Sequence, residues 1–143
     1  MNSEFTIAVH SLTFLAYSSD RMATSDRIAD NVNTHPSRVR KVMSCLRKQG
    51  YVATKEGIGG GFILNCSPEE VTLAEIYRAT SIGSIKPSWC SGNVDEACMI
   101  ACNMKEVMDD IFAEAEQQLL VHLQRTTISD VLERVRAAQL QKQ

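Results

Sequence analysis

Apolar residues recur at helical spacing through most of the chain. Over residues 5–18, Ile7, Leu12, Leu15 and Ala16 fall near a 3.6-residue period. Phe5, Val9 and Phe14 widen that stripe, and a first helix is predicted there. Residues 20–24 are a polar turn. Thr24 or Ser25 then caps a short helix to about Asn31, with Ile28, Ala29 and Val32 as its apolar positions. After the turn Asn33-Thr34-His35, Pro36 suits a first helical position, because its fixed φ fits a helix and it lacks the N–H that would be orphaned there. A third helix is predicted over residues 36–49, with Val39, Val42, Met43 and Leu46 on one side and Arg38, Arg40, Lys41, Arg47 and Lys48 elsewhere. Gly50 ends it as a left-handed residue.

The period then changes. Residues 51–54 and 62–64 are β-prone and flank Gly57-Ile58-Gly59-Gly60-Gly61, which predicts a hairpin with a glycine tip. Thr72 and Glu75 fit a capping box for a helix carrying Leu73, Ile76, Tyr77 and Ala79. Residues 81–97 are loop-like. A long helix is predicted over residues 102–124, with Met104, Val107, Met108, Ile111, Phe112, Ala115, Leu119 and either His122 or Leu123 along one face. So long an apolar stripe exceeds the core needs of a small domain, and a partner chain is the natural place to bury it. Thr127 or Ser129 caps a last helix bearing Val131, Leu132, Val135 and Leu140.

Charge sharpens this outline. The 143 residues carry a formal net charge of −2, too little for a general nucleic-acid coat. Residues 1–65 nevertheless hold 8 basic and 5 acidic side chains, a net +3, and the remainder is net −5. From His35 to Lys55 there are 6 basic residues and no acidic one. A basic half joined to an acidic half fits a DNA-binding module with a partner-binding arm. No apolar run reaches the ~20 residues of a membrane span. Met1-Asn2-Ser3-Glu4 lacks a basic leader, so a cytoplasmic protein with no membrane partner is expected.

Helix, short helix, basic helix and glycine-tipped hairpin, in that order, describe a winged helix-turn-helix. Such a fold reads DNA by presenting short polar and cationic side chains at the start of its third helix. Thr34, Ser37, Arg38, Arg40 and Lys41 occupy that end, with Lys55, Gly59 and Gly60 in the wing. The plainer interpretation is a small α+β domain whose hairpin merely closes the core. The expected fold class is therefore mainly α with a small β-hairpin: a winged helix-turn-helix plus a long C-terminal dimerisation helix. Three regions are expected: DNA-binding over 1–80, a Cys-bearing sensor loop over 81–101, and dimerisation and terminal helices over 102–143, the terminal helix packing back on the DNA-binding region.

Tyr51-Val52, the block Gly57-Ile58-Gly59-Gly60-Gly61-Phe62-Ile63-Leu64 and the helix Val71-Thr72-Leu73-Ala74-Glu75-Ile76-Tyr77-Arg78-Ala79 resemble the signature of the Rrf-two family of bacterial winged-helix transcription regulators. The resemblance covers nearly the whole chain. It implies a homodimer on a palindromic double-stranded DNA operator, usually acting as a repressor, with the long helix forming most of the dimer interface. One residue departs from the pattern. The family often has Arg immediately before the first wing glycine, and Glu56 stands here. An acidic wing repels phosphate, which leaves wing contacts to Lys55 or to backbone N–H groups and keeps open a winged-helix protein-interaction module that no longer binds DNA.

The five Cys form an odd set, four of them from position 66 onward, and read as thiols or metal ligands rather than a disulfide framework. Cluster-holding members of the family use three Cys in this loop and the start of the long helix, so the resemblance implies a two-iron two-sulfur cluster on Cys90, Cys98 and Cys102. Glu4 is the implied fourth ligand, by analogy with the family's nitric-oxide sensors. The Cys-x7-Cys-x3-Cys spacing differs from the more even gaps of cluster-binding relatives. The rival is a cluster-free thiol switch at Cys98, beside a helix N-terminus that lowers a thiol pKa. A third interpretation gives these Cys no sensing role. Cys45 and Cys66 read as packing residues.

No enzyme is expected. The glycine run lacks the Lys-Ser/Thr of a phosphate loop, no nucleophile-elbow spacing occurs, and Cys-x3-Cys is not the Cys-x-x-Cys of a disulfide oxidoreductase.

Overall fold

The computed structural model describes residues 2–143. Six helices and three short strands occur in the order α1 (Glu4–Tyr17), β1 (Met22–Ala23), α2 (Ser25–Val32), α3 (Pro36–Lys48), β2 (Val52–Lys55), β3 (Gly61–Leu64), α4 (Leu73–Thr80), α5 (Met99–Leu123) and α6 (Ile128–Gln141). This is a winged helix followed by one long and one terminal helix.

The first three helices pack around one core. Ile7, Leu12 and Leu15 of α1, Ile28 of α2 and Val39, Val42, Met43 and Leu46 of α3 are all buried. Each such side chain contributes about 1.5–3 kcal/mol when fully removed from water. α1 also buries Ser11 and Thr13, whose hydroxyls donate to the carbonyls of Ile7 and Val9, each at 2.7 Å. Those bonds cancel the desolvation that a bare buried hydroxyl would suffer.

Thr24 caps α2, its hydroxyl accepting the Arg27 N–H at 3.1 Å. Gly50 takes φ +83° just past α3, and the Tyr51 N–H returns to the Leu46 carbonyl at 3.0 Å, turning the chain into β2. The sheet order is β1-β3-β2, all antiparallel, with Lys55 opposite Gly61 and Thr54 opposite Phe62. β1 adds a strand where the sequence predicts only a polar turn. It pairs Met22 with Ile63 and Ala23 with Phe62, using the free edge of the hairpin.

The predicted capping box closes α4. Thr72 Oγ1 accepts the Glu75 N–H at 3.3 Å, and Glu75 Oε2 accepts the Thr72 N–H at 2.9 Å. Thr127 and Asp130 repeat the device at α6. The starts of α4 and α6 are tied together, since Leu73 N–H donates to the Thr126 carbonyl at 2.8 Å and Ile128 N–H to the Val71 carbonyl at 3.1 Å. α6 packs along α1, and α5 rests on α4.

α5 begins at Met99, three residues before the expected Cys102. Met99 and Ile100 of this first turn are apolar but exposed, ahead of the stripe predicted from Met104 onward. The helix is anchored near its middle. Glu116 Oε2 accepts the buried Tyr77 hydroxyl at 2.8 Å and the Gly83 N–H at 2.6 Å. Val107, Ile111 and Val121 remain half exposed along α5.

Candidate nucleic-acid interface and cysteine cluster

α3 starts from a firm cap. His35 Nδ1 accepts the Ser37 N–H at 3.1 Å and stands 2.8 Å from Ser37 Oγ, with Pro36 at the first helical position. A core stripe fully out of water fixes the roll of this helix, so its opposite face must point outward. Ser37, Arg38, Arg40 and Lys41 are exposed there, and Thr34 stands half-buried at the turn before it. Arg38 Nη1 donates to Thr34 Oγ1 and Arg40 Nη1 to Ser25 Oγ, each at 3.5 Å. The turn, the start of α2 and the exposed face of α3 therefore form one polar, cationic surface.

The wing stands at the end of the β2–β3 hairpin. Its tip closes through the Gly60 N–H on the Gly57 carbonyl at 3.0 Å. A Cβ on Gly60 would lie 2.1 Å from the Lys55 carbonyl oxygen, so this turn admits no side chain. Gly61 is constrained too, since a Cβ there would lie 2.5 Å from the Ala23 carbonyl oxygen across the sheet. Lys55 and Gly59 are exposed at the tip, together with Glu56 and a fully exposed Ile58. Within the glycine run nothing in the spacing singles out Ile58.

Sequence reasoning missed the residues that touch the cationic face from within the chain. Glu4 Oε1 lies 2.9 Å from Lys41 Nζ. Ser3 Oγ accepts a hydrogen bond from Arg38 Nη2. The hydrogen bond that Lys41 donates to Glu4, and the charge of that carboxylate, hold the Lys41 ammonium above its ordinary pKa. The carboxylate for which the resemblance implies a ligand role is thus engaged with the third helix.

The cysteines fall into distinct environments. Cys98 is the N-cap of α5, exposed and extended (φ −63°, ψ 123°), so it does not share a helical face with Cys102. The N–H groups of Ala101 and Ile100 at the start of α5 favour its thiolate and lower its pKa below the usual value. Cys102 is half-buried in the first turn, with its thiol 3.6 Å from the Met99 carbonyl. Cys90 is exposed on the loop and lines a small pocket with Trp89, Lys105, Met108 and Phe112. The loop is pinned there by Lys86, whose ammonium lies 2.6 Å from Asp109. Met108 is six residues beyond Cys102, or about 9 Å along a helix axis. Among the described residues no group of three or more His, Cys, Asp and Glu side chains is placed to hold a metal ion. In this arrangement the three Cys do not fit a cluster. Cys66 is half-buried, and burial pushes its thiol up to about 11. Among the described residues no helix is long and apolar enough to cross a membrane.

A family model described as Rrf2, iron-dependent transcriptional regulator, matches residues 1–134. The chain is 27% identical over 132 residues to YwnA of Bacillus subtilis, described as an HTH-type transcriptional regulator; the match covers 92% of this chain and 96% of that one. Its backbone resembles the crystal structure of a transcriptional regulator from Lactobacillus plantarum with a TM-score of 0.79 and 26% identity, over 95% of this chain and 91% of that one. It also shares the fold of IscR from T. potens, with a TM-score of 0.70 and 20% identity over 97% of this chain and 90% of that one.

Proposed function

This chain belongs to the Rrf2 family of transcriptional regulators, and from that premise we propose that it binds double-stranded operator DNA as a homodimer in the cytoplasm. Ser37, Arg38, Arg40 and Lys41 enter the major groove, with Thr34 at its edge, and Lys55, Gly59 and Gly60 meet the sugar-phosphate backbone. The observation that carries this reading is the division of α3: a stripe sealed in the core and an opposite face of exposed cationic and hydroxyl side chains. Residues 1–80 serve DNA binding, 81–101 sensing, and 102–143 dimerisation and support. The half-exposed stripe at Val107, Ile111 and Val121 supports a second copy packed along α5. A two-fold dimer then matches a palindromic operator. Repression follows where that operator overlaps a promoter and the bound dimer excludes polymerase.

For the sensed signal, the position of Cys98 supports a thiol switch. Its thiolate attacks hydrogen peroxide to give a sulfenic acid and hydroxide. The iron in the family's description calls for converging donors that the described residues do not bring together. The test begins with duplexes selected from a random pool. Arg40→Ala lowers affinity for the selected duplex about tenfold or more while sedimentation still reports a dimer. Wild-type affinity falls steeply with salt, each neutralised phosphate adding about 0.9 to the slope. Unchanged affinity in Arg40→Ala removes that residue from the interface. A flat salt response favours the protein-interaction module, to which the exposed Glu56 at the wing lends its support.

A further inference from the structure

Two of the cationic side chains on α3 are engaged by the chain's own N-terminal residues. The Lys41 ammonium, on a side chain 72% exposed, meets Glu4, whose side chain is only 25% exposed. The carboxylate is therefore the fixed partner and the lysine the mobile one. Glu4 opens α1, where the positive end of the helix dipole suits a carboxylate. α1 packs directly on α3, so this acidic group is carried at the edge of the DNA face as part of the fold. Arg38 is held differently. Its partners, Ser3 and Thr34, are neutral hydroxyls that a phosphate can replace without a charge penalty.

We propose that Ser3 and Glu4 form an N-terminal clasp on the third helix, in which Glu4 competes with DNA phosphate for Lys41 and limits affinity for the operator. A phosphate reaches Lys41 only by displacing the carboxylate or by lying beside it, and either subtracts from binding. In the free protein the pair hides one cation from the counterion exchange that drives association. An exposed pair contributes little to folding, so neutralising Glu4 leaves the structure intact. The proposal rests on the assignment of α3 to DNA, and the test separates the two.

The full-length protein, tagged only at its C-terminus, is titrated against its selected duplex by fluorescence anisotropy across a salt series. Glu4→Gln keeps the size and removes the charge. It is expected to tighten binding three- to tenfold and to steepen the salt slope by about 0.9, one further ion exchanged. Lys41→Ala weakens binding, and adding Glu4→Gln to it brings little or no gain. Weaker binding by Glu4→Gln would mean that Glu4 positions Lys41 for the phosphate, and the clasp is overturned. An undiminished gain in the Lys41→Ala background makes the effect general repulsion and overturns it too, as does unchanged affinity in Glu4→Gln while Lys41→Ala is weak. If Glu4→Gln, Lys41→Ala and Arg40→Ala all bind like the wild type, the assignment of α3 itself has failed.

Discussion

Alkylation should single out Cys98 over Cys66, and the size of the difference follows from where each thiol sits. Two backbone N–H groups at the start of α5 stabilise the Cys98 thiolate and hold its pKa below the ordinary thiol value of 9.0. Burial pushes the Cys66 thiol up to about 11. At pH 8 a thiol of pKa 9 is about one-tenth ionised and one of pKa 11 about one-thousandth. Cys98 therefore presents at least about 100 times more thiolate. A less basic thiolate is intrinsically a weaker nucleophile. With a Brønsted coefficient of 0.4–0.5, two pKa units cost about six- to tenfold. Ionisation wins, and Cys98 should still react about tenfold or more faster, before the half-buried position of Cys66 slows it further.

The assay is a time course with iodoacetamide on the folded protein, quenched and mapped by peptide mass spectrometry over a pH series. The Cys98 rate should rise with pH and pass its midpoint below pH 9, whereas the Cys66 rate should keep rising toward pH 11. In denaturant the two should converge, since both environments are lost. Equal rates at pH 8 in the folded protein would refute the argument. So would a Cys98 rate still climbing tenfold per pH unit above pH 9, because the cap would then not be stabilising the thiolate.

Two further expectations concern stability. Gly61→Ala places a methyl group 2.5 Å from the Ala23 carbonyl oxygen at φ +153°, which should cost about 1–3 kcal/mol and loosen β1 from the sheet, read as a lower Tm and faster amide exchange at Leu64. Glu116→Ala strands the buried Tyr77 hydroxyl and leaves the exposed Gly83 N–H to water, a loss of about 1–3 kcal/mol in denaturant melts, while Glu116→Gln, whose amide oxygen can still accept, should recover most of it.

How far the sequence reveals this molecule depends on how local each interaction is. The third helix was fully legible, because a proline start, a glycine stop and a 3.6-residue stripe all lie within fifteen positions and its burial obeys that stripe. The capping box at Thr72 is equally local, whereas at α6 the spacing left Thr127 or Ser129 open as the cap. β1 was not legible. Two residues carry no period, and their strand exists only because β3 offers a free edge forty residues away. The start of α5 escaped for a related reason: Cys98 is not one of the oxygen-bearing residues that usually mark an N-cap, and the apolar residues of the first turn, Met99 and Ile100, face solvent. The environment of the cysteines was half legible. The position of Cys98 before a helix suggests a reactive thiol, yet spacing alone could not show that Cys90 lines a pocket with Trp89 and Phe112 rather than converging with the other two on one site.

The largest omission concerns charge. Counting residues 1–65 as net +3 treats Lys41 as a cation available to DNA and Glu4 as a distant acid. Packing of α1 on α3 brings them to 2.9 Å, and a count along the chain cannot see a pair thirty-seven residues apart. Composition can indicate that a surface is basic. Which of its charges remain to be neutralised by phosphate is decided by tertiary contacts. The salt slope, which counts released ions, is therefore the quantity on which a reading by composition and a reading by structure give different answers.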